Sequence, residues 1–222
     1  MLITVMLIII AIISYGLGGF NGSIIVSRYV YKDDIRNYGS GNAGLTNFYR
    51  KYGPKFLASV VGIDLGKGII SALLGGVLLG LTAPEALVDY FYSCGRLFAA
   101  FCVIVGHSWP AMYRFKGGKG VLCGIGAALV IDWRAAAICL VLFLIIVFAT
   151  RYVSLGSIIG ALSFPIALFA VDYRGIALFL AFIPVAAILI RHSENIKRLI
   201  NHKESKFTLQ KDISHKLSEE DF

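Results

Sequence analysis

The stretch LITVMLIIIAIISYGLGGFNGSIIVS, residues 2–27, contains no Lys, Arg, Asp or Glu, and the first charged side chain is that of Arg28. A transmembrane helix needs ~20 mainly apolar residues to cross the hydrocarbon core of a bilayer. The run also lacks the basic start and the shorter apolar core of a cleavable signal peptide. We therefore interpret it as a membrane span that the mature protein retains.

The composition of the whole chain supports this interpretation. Of its 222 residues, 58% are hydrophobic and only 15% are charged, and the mean hydropathy is +0.78. A soluble domain carries ~25% charged residues to cover its surface. Intrinsic disorder, a disulfide scaffold and a cytosolic enzyme are thereby excluded. The cysteines lie in apolar stretches without C-x-x-C spacing, and we interpret them as packing residues. They are Cys94, Cys102, Cys123 and Cys139.

Seven apolar stretches predict an all-α, polytopic integral membrane protein with about seven transmembrane helices. They run over residues 2–27, 57–81, 88–106, 118–131, 135–150, 154–171 and 175–190. The fourth contains only about 11 purely apolar residues, so we expect its start to lie below the membrane surface. We expect residues 1–200 to form a transmembrane domain and residues 201–222 a polar cytoplasmic tail.

The distribution of basic residues predicts the orientation. Arg96, Arg134 and Arg174 fall on one side of the predicted spans and Lys67 lies within a span, while the rest of the 21 Lys and Arg lie on the other side. The positive-inside rule then places the N-terminus outside and the C-terminus and the basic loops in the cytoplasm. The net charge of +8 reflects this bias. Because these residues are divided among membrane-adjacent loops, we do not expect nucleic acid as a partner.

The first basic loop contains NYGSGNAGLTNFYRKYGP, residues 37–54. Ser40 or Asn42 can cap a short helix within it, and the Gly-Pro pair at its end can terminate that helix. One helical face would then present a hydroxyl, an amide and a guanidinium, from Thr46, Asn47 and Arg50. A surface helix whose arginine touches lipid headgroups and a ligand site account for this loop equally well.

The next basic loop contains FKGGKG, residues 115–120, directly before an apolar run. Glycines allow successive backbone N–H groups to converge on an anion, a helix N-terminus adds a positive dipole, and Lys119 adds a full charge. This pattern favours a phosphate site over a flexible turn with a snorkelling lysine. It is not a Walker P-loop, which requires Ser or Thr after the lysine, so nothing here indicates ATP.

Two later segments also carry polar side chains at helical spacing. Ser154 and Ser157 open the sixth span with a spacing typical of helix caps. His192 and Asn195 follow the last span and share a helical face, where an imidazole can transfer protons near neutral pH.

Asp64 and Lys67 lie at i,i+3 inside the second span, where each would cost ~2.5–3.5 kcal/mol if exposed to lipid. We expect them to face the protein interior as a structural ion pair. A proton relay is disfavoured because it would need further titratable groups along the spans. The sequence assigns no role to His107.

Taken together, these motifs resemble the PlsY-type acyl-phosphate:glycerol-3-phosphate acyltransferases of bacterial membranes, over about residues 20–200 and in the same order. The matching motifs are Gly39-Ser40-Gly41-Asn42 with Gly44 and Thr46-Asn47, Gly106-His107 with Pro110 and 115–120, Ser154-x-x-Ser157, and Arg191-His192 with 194–199. Three positions depart from the family pattern: Ile25 replaces a usual proline, Cys123 a frequent threonine and Gly156 a commoner serine.

The resemblance implies transfer of a fatty acyl group from acyl phosphate to the 1-hydroxyl of glycerol 3-phosphate, giving lysophosphatidic acid and phosphate. It implies neither metal nor cofactor, membrane lipids as further partners, and a bacterial inner-membrane enzyme whose active site lies at the cytoplasmic face. By motif position, substrate binding and catalysis are assigned to Ser40, Arg50, Lys119, His192 and Asn195. The surroundings of the phosphates are assigned to Thr46, Asn47, Gly117, Gly118 and Ser157.

Acyl phosphate is already activated, so the main requirement is to bring two anionic groups together and to place the hydroxyl at the carbonyl carbon. We expect Lys119 and the amides of residues 117–120, Gly120 included, to hold one phosphate. Arg50 with Ser40 would bind glycerol 3-phosphate. His192 would orient or deprotonate the hydroxyl, and a phosphate oxygen of a substrate could equally be the base.

A phosphate or organophosphate transporter is the alternative, since it would also place Lys, Arg and Gly at helix ends. A transporter should show accessible polar residues on both membrane faces, whereas the predicted outer loops are short and nearly bare. A structural lipid-binding protein needs no convergent loops and is the least favoured class.

Overall fold

The computed structural model describes residues 1–207, and the regular secondary structure over that range is helical throughout. The helices are α1 Leu2–Gly19, α2 Gly22–Tyr29, α3 Leu45–Tyr52, α4 Leu57–Gly80, α5 Val88–Ser108, α6 Val121–Ile131, α7 Trp133–Thr150, α8 Val153–Ala170, α9 Gly175–Arg191 and α10 Ser193–Ile200. The predicted all-α architecture is confirmed.

Five helices, α1, α4, α5, α7 and α8, are long and apolar enough to cross a membrane. Helices α9 and α10 meet at a bend of 61° and together provide a sixth candidate span, and α6 is a shorter apolar helix. These helices confirm a multi-pass membrane protein. The predicted seven crossings and the outward N-terminus remain predictions.

The first predicted span is wrong in its C-terminal part, because the helix breaks after Gly19. Asn21 begins α2 by accepting a hydrogen bond from the Ile24 N–H at 3.0 Å, and its amide donates to the Ala43 carbonyl at 3.0 Å. A single asparagine in an apolar run is enough to start a new helix when its side chain satisfies the free backbone groups there. Residues 22–27 therefore belong to a separate short helix that faces the first basic loop.

Close packing of α1, α4 and α5 forms one side of the helix bundle, and it depends on small residues. Gly18 of α1 lies against the Val103 carbonyl and the Gly106 backbone of α5, and a Cβ there would lie 2.8 Å from Gly106 Cα. Gly75 of α4 faces Gly95 of α5 in the same way. Glycine at such points lets helix backbones approach closely, as is common between membrane helices.

Asp64 and Lys67 form the predicted ion pair, with Lys67 Nζ 2.8 Å from Asp64 Oδ1 and both side chains almost fully buried. The ammonium also donates to the carbonyls of Gly18 at 3.1 Å and Phe20 at 3.0 Å, where α1 ends. The Gly22 N–H donates to Asp64 Oδ1 at 3.1 Å. The pair therefore satisfies the backbone groups that the break between α1 and α2 leaves free.

We expect Gly18→Val to destabilise the protein, since the added side chain would collide with the α5 backbone. A clash of this kind costs about 1–3 kcal/mol, which lowers the thermal midpoint by about 3–10 °C for a chain of this size. The measurement is thermal unfolding in detergent. Gly16→Val is the matched control, because nothing lies within 4 Å of a Cβ at Gly16; equal midpoints for the two variants would contradict the packing described here.

Candidate active site

One polar cavity of about 570 Å³ collects the predicted site residues. Nine of the eleven line it: Ser40, Thr46, Asn47, Arg50, Lys119, Gly120, Ser157, His192 and Asn195. They come from α3 and the loop before it, the start of α6, the start of α8 and the junction of α9 with α10. Gly117 and Gly118 lie outside this lining.

Lys119 is anchored by a chain of hydrogen bonds at the centre of the cavity. Its Nζ donates to Asn195 Oδ1 at 2.6 Å, and the Asn195 amide donates in turn to Glu204 Oε1 at 2.7 Å. Glu204 also accepts from Ser154 Oγ at 2.6 Å and from Arg198 Nε at 2.8 Å. The lysine is thus positioned by an amide whose own orientation is fixed by a carboxylate.

Lys119 precedes α6 and lies outside the helices that can cross the bilayer. Burial lowers its pKa from the ordinary value near 10.5 to about 8, and the charge of Glu204 opposes that shift, while Arg198, Arg191 and Arg50 reinforce it. The ammonium is therefore charged near neutral pH but close to losing its proton. A bound dianion would stabilise the charged form.

The two glycines outside the lining pack closely against neighbouring groups, and the assignment of their amides to a phosphate remains a prediction. The Gly118 N–H already donates to the His107 carbonyl at 3.0 Å. A Cβ on Gly117 would lie 2.6 Å from Pro110 Cδ, and a Cβ on Gly118 would lie 2.7 Å from the Ala43 carbonyl oxygen. Of the three predicted glycines, Gly120, with φ of +82° at the start of α6, both lines the cavity and requires glycine for its backbone conformation.

Arg191 was not among the predicted site residues. It holds the glycine loop, residues 117–120, in place. Its Nε donates to the Gly118 carbonyl at 3.0 Å and its Nη2 to the Gly117 carbonyl at 3.3 Å. Its guanidinium also lies 5.4 Å from the centre of the Trp109 ring. The glycine loop is therefore held between the end of α5 and the end of α9.

Asn47 organises the first loop. Its Nδ2 lies within hydrogen-bonding distance of the carbonyls of Tyr38 at 3.0 Å and Asn42 at 3.1 Å, and its Oδ1 accepts from the Ser40 N–H at 3.3 Å. The predicted cap by Ser40 or Asn42 is wrong, because α3 begins after Gly44 without a side-chain cap. The loop folds around the buried Asn47 amide instead, and this leaves Thr46 and Arg50 along the cavity.

His192 lies at the bend between α9 and α10 and is almost completely buried. Its Nδ1 lies 2.8 Å from the Ile188 carbonyl oxygen, which can only accept a hydrogen bond, so Nδ1 carries the proton. In the neutral ring, Nε2 then has a free lone pair. His192 and Asn195 both line the cavity, as the sequence predicted.

Ser154 and Ser157 do not cap α8, contrary to the spacing argument. Ser157 Oγ donates to the Val153 carbonyl at 2.9 Å within the helix, and Ser154 Oγ donates to Glu204. Helix α8 already starts at Val153, so both serines lie inside its first two turns. Ser157 still faces the cavity.

The segment 203–207 contributes Glu204 and Ser205 to the lining of the cavity, although the sequence suggested no role for it. Arg50 Nη2 donates to the Ser205 carbonyl at 3.4 Å, and the Phe207 N–H donates to the Arg151 carbonyl at 2.7 Å. The Phe207 ring lies 5.7 Å from that of Tyr49. The available signal was a lone acidic residue, Glu204, in a basic segment; the rest of the predicted tail, residues 208–222, lies outside the described residues.

The fold and the cavity define a multi-pass membrane protein with a cationic, partly enclosed site suited to phosphate groups. A family model described as Glycerol-3-phosphate acyltransferase matches residues 8–202. The chain belongs to the glycerol-3-phosphate acyltransferase family. The resemblance inferred from the motifs is thereby confirmed.

Individual relatives and solved structures agree with this assignment. A glycerol-3-phosphate acyltransferase of Finegoldia magna is 41% identical over 201 residues, covering 90% of this chain and 96% of the relative. One of Thermoanaerobacter pseudethanolicus is 37% identical over 207 residues, covering 93% and 98%. The crystal structure of PlsY (YgiH), an integral membrane glycerol 3-phosphate acyltransferase in its glycerol 3-phosphate form, has a TM-score of 0.79 at 32% identity, covering 91% of this chain and 96% of that one.

We expect anion binding in the cavity to weaken above pH about 8, because Lys119 loses its proton there. Calorimetric titration with sulfate, a tetrahedral dianion throughout pH 7–9.5, should show the dissociation constant rising up to about tenfold per pH unit above the midpoint. Glu204→Gln should move the pH at which sulfate affinity begins to fall to a lower value, since it removes the charge that raises the Lys119 pKa.

Glu194→Gln is the control, because Glu194 lines the same cavity but pairs with Lys197 at 3.1 Å and is not among the charges that shift the Lys119 pKa. Sulfate affinity that stays constant to pH 9.5, or equal shifts in the two variants, would contradict the assignment of Lys119 as the titrating group.

Proposed function

We propose that the chain transfers a fatty acyl group from acyl phosphate to the 1-hydroxyl of glycerol 3-phosphate, releasing lysophosphatidic acid and inorganic phosphate. The convergence of Lys119, Arg50 and His192 on one cavity is the observation that carries this proposal. The related PlsY structures in glycerol 3-phosphate and lysophosphatidic acid forms support it, since they contain an acceptor and a product of this reaction. The comparisons give no support to the transporter alternative.

An apolar groove supports a long-chain donor. A second cavity of about 80 Å³ lies among α5, α6, α7, α8 and α9 and is lined mainly by aliphatic side chains. It shares residues with the polar cavity, namely Val121, Ile125, Leu140, Phe143 and Ser157. Because the two cavities adjoin at these residues, we expect an acyl phosphate bound at Lys119 to place its acyl chain in the apolar cavity.

The reaction requires two phosphate groups to lie close together, and the cations of the cavity offset their repulsion. Lys119 and the N-terminal end of α6 at Gly120 would hold the phosphate that leaves. Arg50 and Ser40 would bind the phosphate of glycerol 3-phosphate. These assignments place the acceptor hydroxyl between the first loop and the donor carbonyl.

The hydroxyl oxygen then attacks the carbonyl carbon, and its proton passes to His192 Nε2 or to a phosphate oxygen of a substrate. The bond between the carbonyl carbon and the phosphate oxygen breaks, and the phosphate departs with both electrons of that bond. His192 can accept the proton because its Nδ1–H is committed to the Ile188 carbonyl. No residue needs to become acylated, since the donor is already activated.

We further propose a bacterial inner-membrane location with the cavity at the cytoplasmic face. The basic residues support this orientation, since Arg50, Lys119, Arg191 and Arg198 surround the cavity. Positively charged loops are retained in the cytoplasm during membrane insertion.

We expect the purified protein in detergent to convert palmitoyl phosphate and glycerol 3-phosphate into lysophosphatidic acid and phosphate, with a chelator present and without ATP. Both products are quantified, one by mass spectrometry and the other by a phosphate assay. Acetyl phosphate has the same reacting group without the long chain, so its turnover should be far slower.

Lys119→Ala should lower the rate by about 100-fold or more, as loss of a group that stabilises developing charge does. Lys116→Ala is the matched control, because Lys116 belongs to the same loop but is exposed and lies outside the cavity. Full activity in Lys119→Ala, or a wild-type protein that consumes neither substrate, would refute the proposed function.

A further inference from the structure

Three buried polar side chains lie beneath the cavity, and the mechanism above uses none of them. Asp64 and Lys67 belong to α4 and His107 to α5, and each side chain is at most 4% exposed. Asp64 and His107 nevertheless line the cavity together with Lys119. The cluster therefore connects the interior of the helix bundle with the site.

The contacts of this cluster fix the tautomer of His107. Lys67 Nζ lies 2.7 Å from His107 Nδ1 and 2.8 Å from Asp64 Oδ1. The Lys67 ammonium, which pairs with the Asp64 carboxylate, can only donate a hydrogen bond. Nδ1 therefore accepts the hydrogen bond from Lys67, so the neutral ring carries its proton on Nε2.

The Nε2–H of His107 makes no hydrogen bond within residues 1–207, and it lies beside the glycine loop. A Cβ on Gly118 would collide with Nε2 and would lie 2.9 Å from Cδ2 of the same ring. Glycine at 118 lets the loop backbone approach this edge of the imidazole closely. Because His107 lines the polar cavity, a ligand bound there can supply the acceptor for this donor.

We propose that His107 Nε2–H donates a hydrogen bond to a phosphate oxygen of the bound substrate, and that Lys67 and Asp64 are positioning residues that hold His107 in this tautomer. The inference rests on the proposed function and adds a substrate-binding residue to the same site. A phosphate oxygen suits this position because Lys119 and Gly120 line the same cavity. A neutral donor next to Lys67 adds a hydrogen bond without a further positive charge in the buried cluster.

The substrate contact can be separated from the structural contacts of His107. Its structural bond to the glycine loop runs from the Gly118 N–H to the His107 carbonyl, which any substitution retains. His107→Asn keeps an acceptor near the position of Nδ1 for Lys67 but removes the donor at Nε2. His107→Gln places an amide near the position of Nε2 and can restore that donor.

We expect His107→Asn to raise KM for one of the two substrates, or the inhibition constant of inorganic phosphate, by about tenfold or more. His107→Gln should recover at least part of this loss, and the thermal midpoints of both variants should match that of the wild type. The substrate whose KM rises identifies which phosphate His107 contacts. Unchanged KM values and an unchanged phosphate inhibition constant in a folded His107→Asn would overturn the proposal.

The wild-type protein provides an independent measurement if either variant fails to fold. In protein labelled with ¹⁵N-histidine, His107 should be neutral with its proton on Nε2, and that resonance should shift when inorganic phosphate is added. A proton on Nδ1, or no shift at saturating phosphate, would overturn the proposal. Because this measurement needs no turnover, it remains decisive even if the acyl transfer itself is not observed.

Discussion

The site depends on keeping a largely buried lysine charged. Burial lowers the pKa of Lys119 to about 8, and Glu204 opposes that shift while it orients the Asn195 amide that contacts the lysine. Arg198 and Ser154 hold Glu204 in turn. The start of α8, the bend after α9 and the segment 203–207 are thus all arranged around a single ammonium group.

The membrane fold meets this requirement by ending or breaking helices at one end of the bundle. The chain turns at Asn21 between α1 and α2, α9 bends at His192, and α6 begins at Gly120. Each interruption exposes backbone groups that need partners, and the polar side chains near it provide them. Asp64 and His192 are among these partners and also line the cavity, so two of the residues that complete the helix ends belong to the site.

The sequence predicted the features that a short stretch of residues determines by itself. Long apolar runs identified the spans, and charged or acid–base residues in loops identified Arg50, Lys119 and His192. It could not show that Asn21 breaks the first span, because one asparagine in an apolar run has no distinct periodicity. It also could not show that Gly117 packs against the end of α5, or that Gly118 packs against the His107 ring and the Ala43 carbonyl. Glu204 was missed because its hydrogen-bond partners come from other segments of the chain, and no sequence motif joins them to it. They are Ser154, Asn195 and Arg198.

The central claim is that one cavity brings two phosphate groups together. The most direct measurement is a structure of the protein with glycerol 3-phosphate and a non-transferable acyl phosphonate bound at the same time. Our account predicts both phosphorus atoms in the 570 Å³ cavity, one group bonded to Lys119 and the other to Arg50. Phosphorus atoms in separate cavities, or a Lys119 that contacts neither group, would contradict it.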